Sequence, residues 1–207
     1  MMAAMTEVLV ARHGETDWNR EHRWQGQGGP GLNDRGRAQA HALAARLAVL
    51  RLDAIYTSDL PRATQTAEIV AAAVGLEPKE DRGLREVDVG NWRGLTRGEV
   101  RKSDPAGYRR WMRGEAGWQG GETYDEMHAR VVSALHRLLG AHRRGRILLV
   151  AHGGGVRAIV AHTVGLPGHD RLHIDGAHNC SLTTVTTVRG ALRLAGFNDI
   201  GHLPAGR

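Results

Sequence analysis

The sequence predicts an α/β fold with helices on both faces of a mixed, largely parallel sheet. Three observations carry this. Apolar runs of strand length, at residues 8–11, 54–58 and 146–151, alternate with segments whose apolar residues recur at helical spacing. Two of the runs end in an imidazole followed by glycine, as Arg12-His13-Gly14 and as His152-Gly153-Gly154-Gly155. The chain closes on two alternating runs, 181–188 and 191–197, around Arg189-Gly190, which reads as a hairpin.

Taken in order, run 8–11 has the β-branched content of a buried strand, and Gly14 permits a turn after it. Ligands of an open α/β sheet bind outside the carboxyl ends of its strands, so Arg12 and His13 face a site rather than a core. Residues 20–31 are polar and glycine-rich, the chemistry of a loop. Asn33 is a candidate N-cap for a helix whose core stripe is Ala40, Leu43, Leu47 and Leu50. Run 54–58 leads through Asp59-Leu60-Pro61 into Arg62, and Pro61 suits a first helical turn. Arg62 therefore stands at a helix N-terminus, where backbone N–H groups and the dipole favour an anion. That helix buries Ala63, Ala67, Val70 and Val74 and stops at Gly75.

From 77 to 121 the regular signals weaken, with scattered glycine, Pro78, Pro105 and the tryptophans Trp92, Trp111 and Trp118. A long irregular insertion in a compact domain reads as a lid or substrate-selecting region. Thr123-Tyr124-Asp125-Glu126 has capping-box spacing, and Met127, Val131, Leu135 and Leu138 continue as a core stripe. The strand near 147–151 is followed by a helix carrying Val156, Ile159, Val160 and Val164 and ending at Gly165-Leu166-Pro167.

At 207 residues the chain can bury one sizeable core, and it is read as a single domain, 1–207. The net charge of +6 and pI near 10.4 suit an anionic partner. All basic residues but Lys79 and Lys102 are arginine, a bias that genomic base composition also produces. Arg109-Arg110-Trp111-Met112-Arg113 interleaves bases with an aromatic, yet a solvated helix face explains it as well as nucleic acid binding does. Cys180 is the only cysteine, which excludes an intrachain disulfide and a multi-cysteine metal site and fits a cytoplasmic chain. Residues 1–5 lack the basic and apolar regions of a signal peptide, and no run approaches the ~20 apolar residues of a membrane span. A homodimer is left open.

If the strands are neighbours, Arg12, His13, Arg62 and His152 converge on a cationic pocket whose natural guest is a phosphoryl group. Four blocks carry a resemblance. They are residues 9–19 (Leu-Val-Ala-Arg-His-Gly-Glu-Thr-Asp-Trp-Asn), 56–67 (Tyr-Thr-Ser-Asp-Leu-Pro-Arg-Ala-Thr-Gln-Thr-Ala), 84–94 (Leu-Arg-Glu-Val-Asp-Val-Gly-Asn-Trp-Arg-Gly) and 150–154 (Val-Ala-His-Gly-Gly). At these the chain resembles the histidine phosphatase superfamily, which includes the cofactor-dependent phosphoglycerate mutases. The resemblance implies a three-layer α/β/α sandwich in which His13 is phosphorylated, Arg12, Arg62 and His152 hold the phosphoryl group, and Glu86 donates the proton. It also implies substrate contacts from Asn19, Thr16 and Gly153, and from Gln25 and Gly26 in a segment that closes over the phosphate. Gly29 stands where relatives commonly carry an aspartate, which opens the question of that segment's path.

The chemistry asks for these groups. A neutral imidazole attacks phosphorus when its other ring nitrogen is fixed by a hydrogen bond, and the cations, including a protonated His152, neutralise the equatorial oxygens. An acid then protonates the leaving oxygen. Glu15 is the other candidate acid, and a solvated or arginine-paired carboxylate is the preferred reading of it. His169, His173 and His178 lie in a polar stretch where solvated histidines are ordinary. Catalysis is expected to need no metal and no cofactor. Mutases carry Arg directly after the acid and Tyr two positions beyond that; here Val87 and Val89 stand instead. The expectation is a phosphomonoester hydrolase acting on a small phosphorylated metabolite. The alternatives are a phosphoglycerate mutase and a non-catalytic module for phospho-ligands or RNA.

Overall fold

The computed structural model describes residues 5–168 and 170–204. The expectations for residues 1–4 and for His169 lie outside the described residues. Strand β1 (Thr6–Arg12) leads through a short helix, α1 (Asp17–Arg20), and a loop into α2 (Asp34–Ala48), then β2 (Ala54–Thr57), α3 (Pro61–Val74) and β3 (Pro78–Glu80). After 3₁₀ turns at Arg82–Leu84 and Gly90–Trp92 come α4 (Arg97–Ser103), α5 (Pro105–Met112) and α6 (Tyr124–Ala141). Strand β4 (Gly145–Ala151), α7 (Gly153–Val164) and the hairpin β5 (Leu182–Val188) and β6 (Ala191–Asp199) complete the order.

The sheet runs β3-β2-β4-β1-β5-β6. Its first four strands are parallel, β5 is antiparallel to β1, and β6 is antiparallel to β5. Because side chains alternate along a strand, β1 and β4 feed two cores. Val8, Val10, Ile147 and Leu149 face α6, α7 and Trp92, whereas Leu9, Leu148, Val150 and Ile55 face α2 and α3. Each such side chain contributes about 1.5–3 kcal/mol on burial. The α/β sandwich read from the sequence is the observed architecture.

Local signals account for the helix ends. Asn33 accepts from the Gly36 amide, Pro61 opens α3, and Gly75 closes it at φ +71°. Thr123 and Glu126 form the reciprocal capping box expected at α6. Three positions of the stripes differ. Leu50 lies beyond the end of α2 and is only partly buried, Val74 at the end of α3 is likewise partly buried, and Val164, in the last turn of α7, is half exposed. Segment 77–121 differs more. Its first residues form the edge strand β3, two helices follow, and Leu84, Val87, Val89, Trp92, Val100 and Trp118 are buried in the α6–α7 core. Weak periodicity arose because tryptophan packing rather than a repeating stripe orders it. At Gly90, φ +46° and the Gln119 carbonyl against the Cβ position leave room for glycine alone.

Candidate active site

Neighbouring positions of β2, β4 and β1 in the sheet bring their carboxyl ends together, with Arg12 opposite Ala151 and Thr57 opposite Val150. His13 follows β1 and is 3% exposed; its amide donates to the Ala151 carbonyl at 3.0 Å. Its Nδ1 lies 2.7 Å from the Gly14 carbonyl. A carbonyl only accepts, so the proton sits on Nδ1 and the lone pair on Nε2. Arg62 Nε donates to that Nε2 at 3.2 Å. Burial, then the Arg62 and Arg12 charges, hold the imidazole well below its ordinary pKa, so it is neutral.

Pro61 places Arg62 in the first turn of α3, 1% exposed. Its terminal nitrogens donate to the carbonyls of Gly28 and Gly26 at 2.6 and 2.8 Å, which pins the glycine-rich loop over the site. Burial lowers its pKa to about 10, and it stays cationic at neutral pH. Arg12 donates to the Ala177 carbonyl at 2.7 Å, while its buried Nε has no hydrogen-bond partner among the described residues. His152 caps α7, is fully buried and stands 5.1 Å from His13 between ring centroids. Neither of its ring nitrogens has a partner among the described residues. Burial first, then Arg62, His13 and Arg12, push its pKa well below the usual value, which opposes the expected protonated form until an anion is bound. Buried donors without partners, packed between cations, are the mark of a site arranged for an anion.

Glu86 reaches the same pocket from the irregular segment. Its Oε1 accepts from the Val87 amide at 2.9 Å and its Oε2 from the Gly154 amide at 3.1 Å. Glu15 lies elsewhere, accepting from Asn33 at 3.1 Å and facing Arg35 at 3.7 Å, as its arginine-paired reading expected. Asn19 lines the pocket with its amide oxygen committed to the Thr16 amide and hydroxyl and to Asn179, so its NH₂ is the donor end. Thr16 is fully buried and caps α1, its hydroxyl accepting from the Asn19 backbone amide at 3.1 Å. Gln25 is 8% exposed, with its side-chain oxygen lacking a partner among the described residues. Gly26, at φ +54°, turns its carbonyl to Arg62. Gly29 answers the question of the loop's path, since its φ of +93° and the Trp18 ring 3.0 Å from its Cβ position suit glycine. Gly153 lies beside the site, its Cβ position 3.8 Å from the Arg12 Nε and 4.0 Å from a Glu86 carboxylate oxygen. Its neighbour Gly154 lines the pocket and donates to Glu86.

The pocket, about 210 Å³, contains residues that sequence reasoning missed: Arg23, Trp24, Tyr124, Gly154 and Arg157. Gly154 and Arg157 share a helix face, and their i, i+3 spacing after His152 was a readable signal. Arg23 and Trp24 had none, being loop residues. A second cavity of about 330 Å³ adjoins the first through Arg12, Asn19, Arg23 and Trp24, and adds Trp18 and Arg97. Trp24 packs against Trp92, Trp111 and Trp118, and Arg97 sits 5.4 Å over Trp111. Among the described residues no group of three or more His, Cys, Asp or Glu is placed to hold a metal ion. His173 and His178 are exposed, His173 beside Asp170 at 3.8 Å. No helix among the described residues is long and apolar enough to cross a membrane.

Comparison with known proteins bears on the family and the fold. The chain is 40% identical over 158 residues to phosphoglycerate mutase-like protein 4 of Arabidopsis thaliana, covering 74% of this chain and 69% of that protein. Among solved structures it is similar to YhfR of Bacillus stearothermophilus, with TM-score 0.89 and 31% identity over 95% of this chain and 98% of the other. It is likewise similar to a mycobacterial glucosyl-3-phosphoglycerate phosphatase solved with VO₃, with TM-score 0.84 and 32% identity over 93% and 98% of the two chains. The sequence pattern of the histidine phosphatase superfamily (branch 1) matches residues 8–200. The chain belongs to that superfamily.

Proposed function

We propose that this protein is a metal-independent phosphomonoester hydrolase working through phosphohistidine at His13. One observation carries the reading: a neutral imidazole, its Nδ1 proton held by the Gly14 carbonyl, presents Nε2 to the buried Arg62 guanidinium in a pocket that Arg12 also lines. The entering phosphoryl group draws the Arg62 N–H away from Nε2 and frees the lone pair. Nε2 then forms a bond to phosphorus as the bond to the leaving oxygen breaks, and Glu86 passes its proton to that oxygen. In the second half Glu86 takes a proton from water, the water oxygen attacks phosphorus, and the P–N bond breaks. Arg12, Arg62 and the amide of Asn19 bear on the equatorial oxygens, and a dianion against His152 favours its imidazolium. The arginines supply the charge that a metal would otherwise bring.

The substrate we infer is a small phosphorylated metabolite whose remainder occupies the adjoining cavity, where Arg23 and Arg97 offer charge and Trp18 and Trp24 offer flat apolar faces. Segment 77–121 supplies Arg97 and the tryptophans Trp92, Trp111 and Trp118 that back Trp24, and so bears on the choice among substrates. The lone buried Cys180 fits a cytoplasmic protein. A mutase reading draws on those same cations, which suit a carboxylate. Val87 and Val89, 6% and 1% exposed beside the acid, weigh against it, since neither side chain can donate to a substrate carboxylate. Product partitioning tests the choice. From 3-phosphoglycerate with a priming bisphosphate, inorganic phosphate should dominate, and rapid formation of 2-phosphoglycerate without phosphate release would establish a mutase instead.

A further inference from the structure

The acid lies in a stretch with no strand partner, so its backbone needs another source of order. Arg130, on α6, supplies it. Its Nε and one terminal nitrogen meet Glu122 as a fork, at 2.8 and 2.7 Å. The other terminal nitrogen donates to the carbonyls of Gly83 and Arg85, both at 3.0 Å, and of Arg82 at 3.4 Å; the fork reaches the Glu86 carbonyl at 3.3 Å. Glu122 in turn accepts from the Asp88 amide at 3.1 Å. One ion pair thus grips the backbone on both sides of Glu86. Gln27, from the loop over the phosphate, donates to the Glu86 carbonyl at 3.3 Å and to Glu122 at 3.4 Å.

We propose that Arg130, braced by Glu122, is a positioning residue that sets the Glu86 carboxyl against the leaving oxygen. The inference rests on the reading of Glu86 as proton donor. Arginine is required because five N–H donors in one plane serve a bidentate carboxylate and several carbonyls together, whereas a lysine ammonium has three donors at a point. The Arg130 charge also bears on His152, but His152 acts on every ester alike.

The test compares an alkyl phosphate with an aryl phosphate, whose leaving oxygen needs little protonation. A carboxyl displaced by about 1 Å should cost on the order of 10²-fold. Arg130→Gln should therefore lower kcat/KM for the alkyl ester by that factor and for the aryl ester at least tenfold less, and Arg130→Lys should recover little. In a Glu86→Gln background, Arg130→Gln should slow both esters equally. Equal losses on the two esters in the wild-type background, or fully additive losses in the double variant, would overturn the proposal. Should Arg130→Gln fail to fold, Glu122→Gln is held to the same ester comparison. If Glu86→Gln itself fails to distinguish the esters, the reading of Glu86 fails. If Glu86→Gln distinguishes them and Arg130→Gln does not, only this inference fails.

Discussion

The two halves of the site are built by different means. Arg12, His13, Arg62 and His152 stand at the ends of three adjacent parallel strands or on the helix turn just after one, where backbone register sets their positions. Glu86 stands in a segment between 3₁₀ turns, and side chains from α6, from the glycine-rich loop and from the residues before α6 set its position. Substitution of His13 or His152 in the first half therefore changes chemistry with little change in geometry. In the second half, a residue that never meets substrate can move the group that does.

The largest expected effect belongs to the first half. His13→Ala should lower turnover by a factor on the order of 10⁴ or more while the fold persists, as when an activated nucleophile is removed elsewhere. Circular dichroism and phosphate release together would check it, and retained turnover would break the division of labour drawn above. Glu86→Gln comes next, with a loss of about 10²–10⁴-fold for alkyl esters, the span of general acid catalysis, and much less for aryl esters.

The pH dependence sharpens the comparison. His13 attacks only when neutral, and burial with Arg62 and Arg12 depresses its pKa, so the acid limb of kcat/KM should lie below the ordinary histidine range. Arg62→Gln removes the larger of the two Coulombic contributions and should move that limb upward. Stability follows the same sign. The unfolded chain takes up protons on His13 and His152 near pH 6.5, where the native state does not. Their contribution is therefore fully present above about pH 6.5 and is lost as pH falls through the depressed native pKa values. A denaturation midpoint rising with acidity below pH 6.5 would contradict this.

Thr16→Ala should cost about 1 kcal/mol through the lost cap of α1, read as a lowered denaturation midpoint. A large rise in KM at unchanged stability would restore Thr16 as a ligand. Exhaustive chelation should have the smallest effect, leaving the rate nearly unchanged; activity lost to chelator and regained with a divalent ion would overturn the metal-independent reading.

The same contrast explains what the sequence disclosed. A strand end followed by Arg-His-Gly, and Pro61 just before Arg62, are local patterns with direct geometric consequences, so the convergence of the cations was legible. Glu86 was not: among the chain's acids its spacing was ordinary, and only the resemblance singled it out. Thr16 carries two readings, since a hydroxyl beside a binding residue serves equally as an N-cap. The state of His152 depends on burial and on three neighbouring positive groups, quantities that belong to the folded state. Arg23 and Trp24 enter the pocket from an irregular loop, just after His22 at φ +55°, a path that no periodicity announces. Arg130 carried no signal in the sequence, and its role rests on where the fold places its donors.

The central claim is that phosphorus bonds to His13 during turnover, and rapid quenching with radiolabelled substrate followed by peptide mapping tests it most directly. The account predicts a base-stable, acid-labile phosphoryl group on the peptide containing His13, absent in His13→Ala and discharged to inorganic phosphate in wild-type protein at the rate of turnover. A label on a serine or aspartate, or turnover with no labelled protein at any quench time, would contradict it.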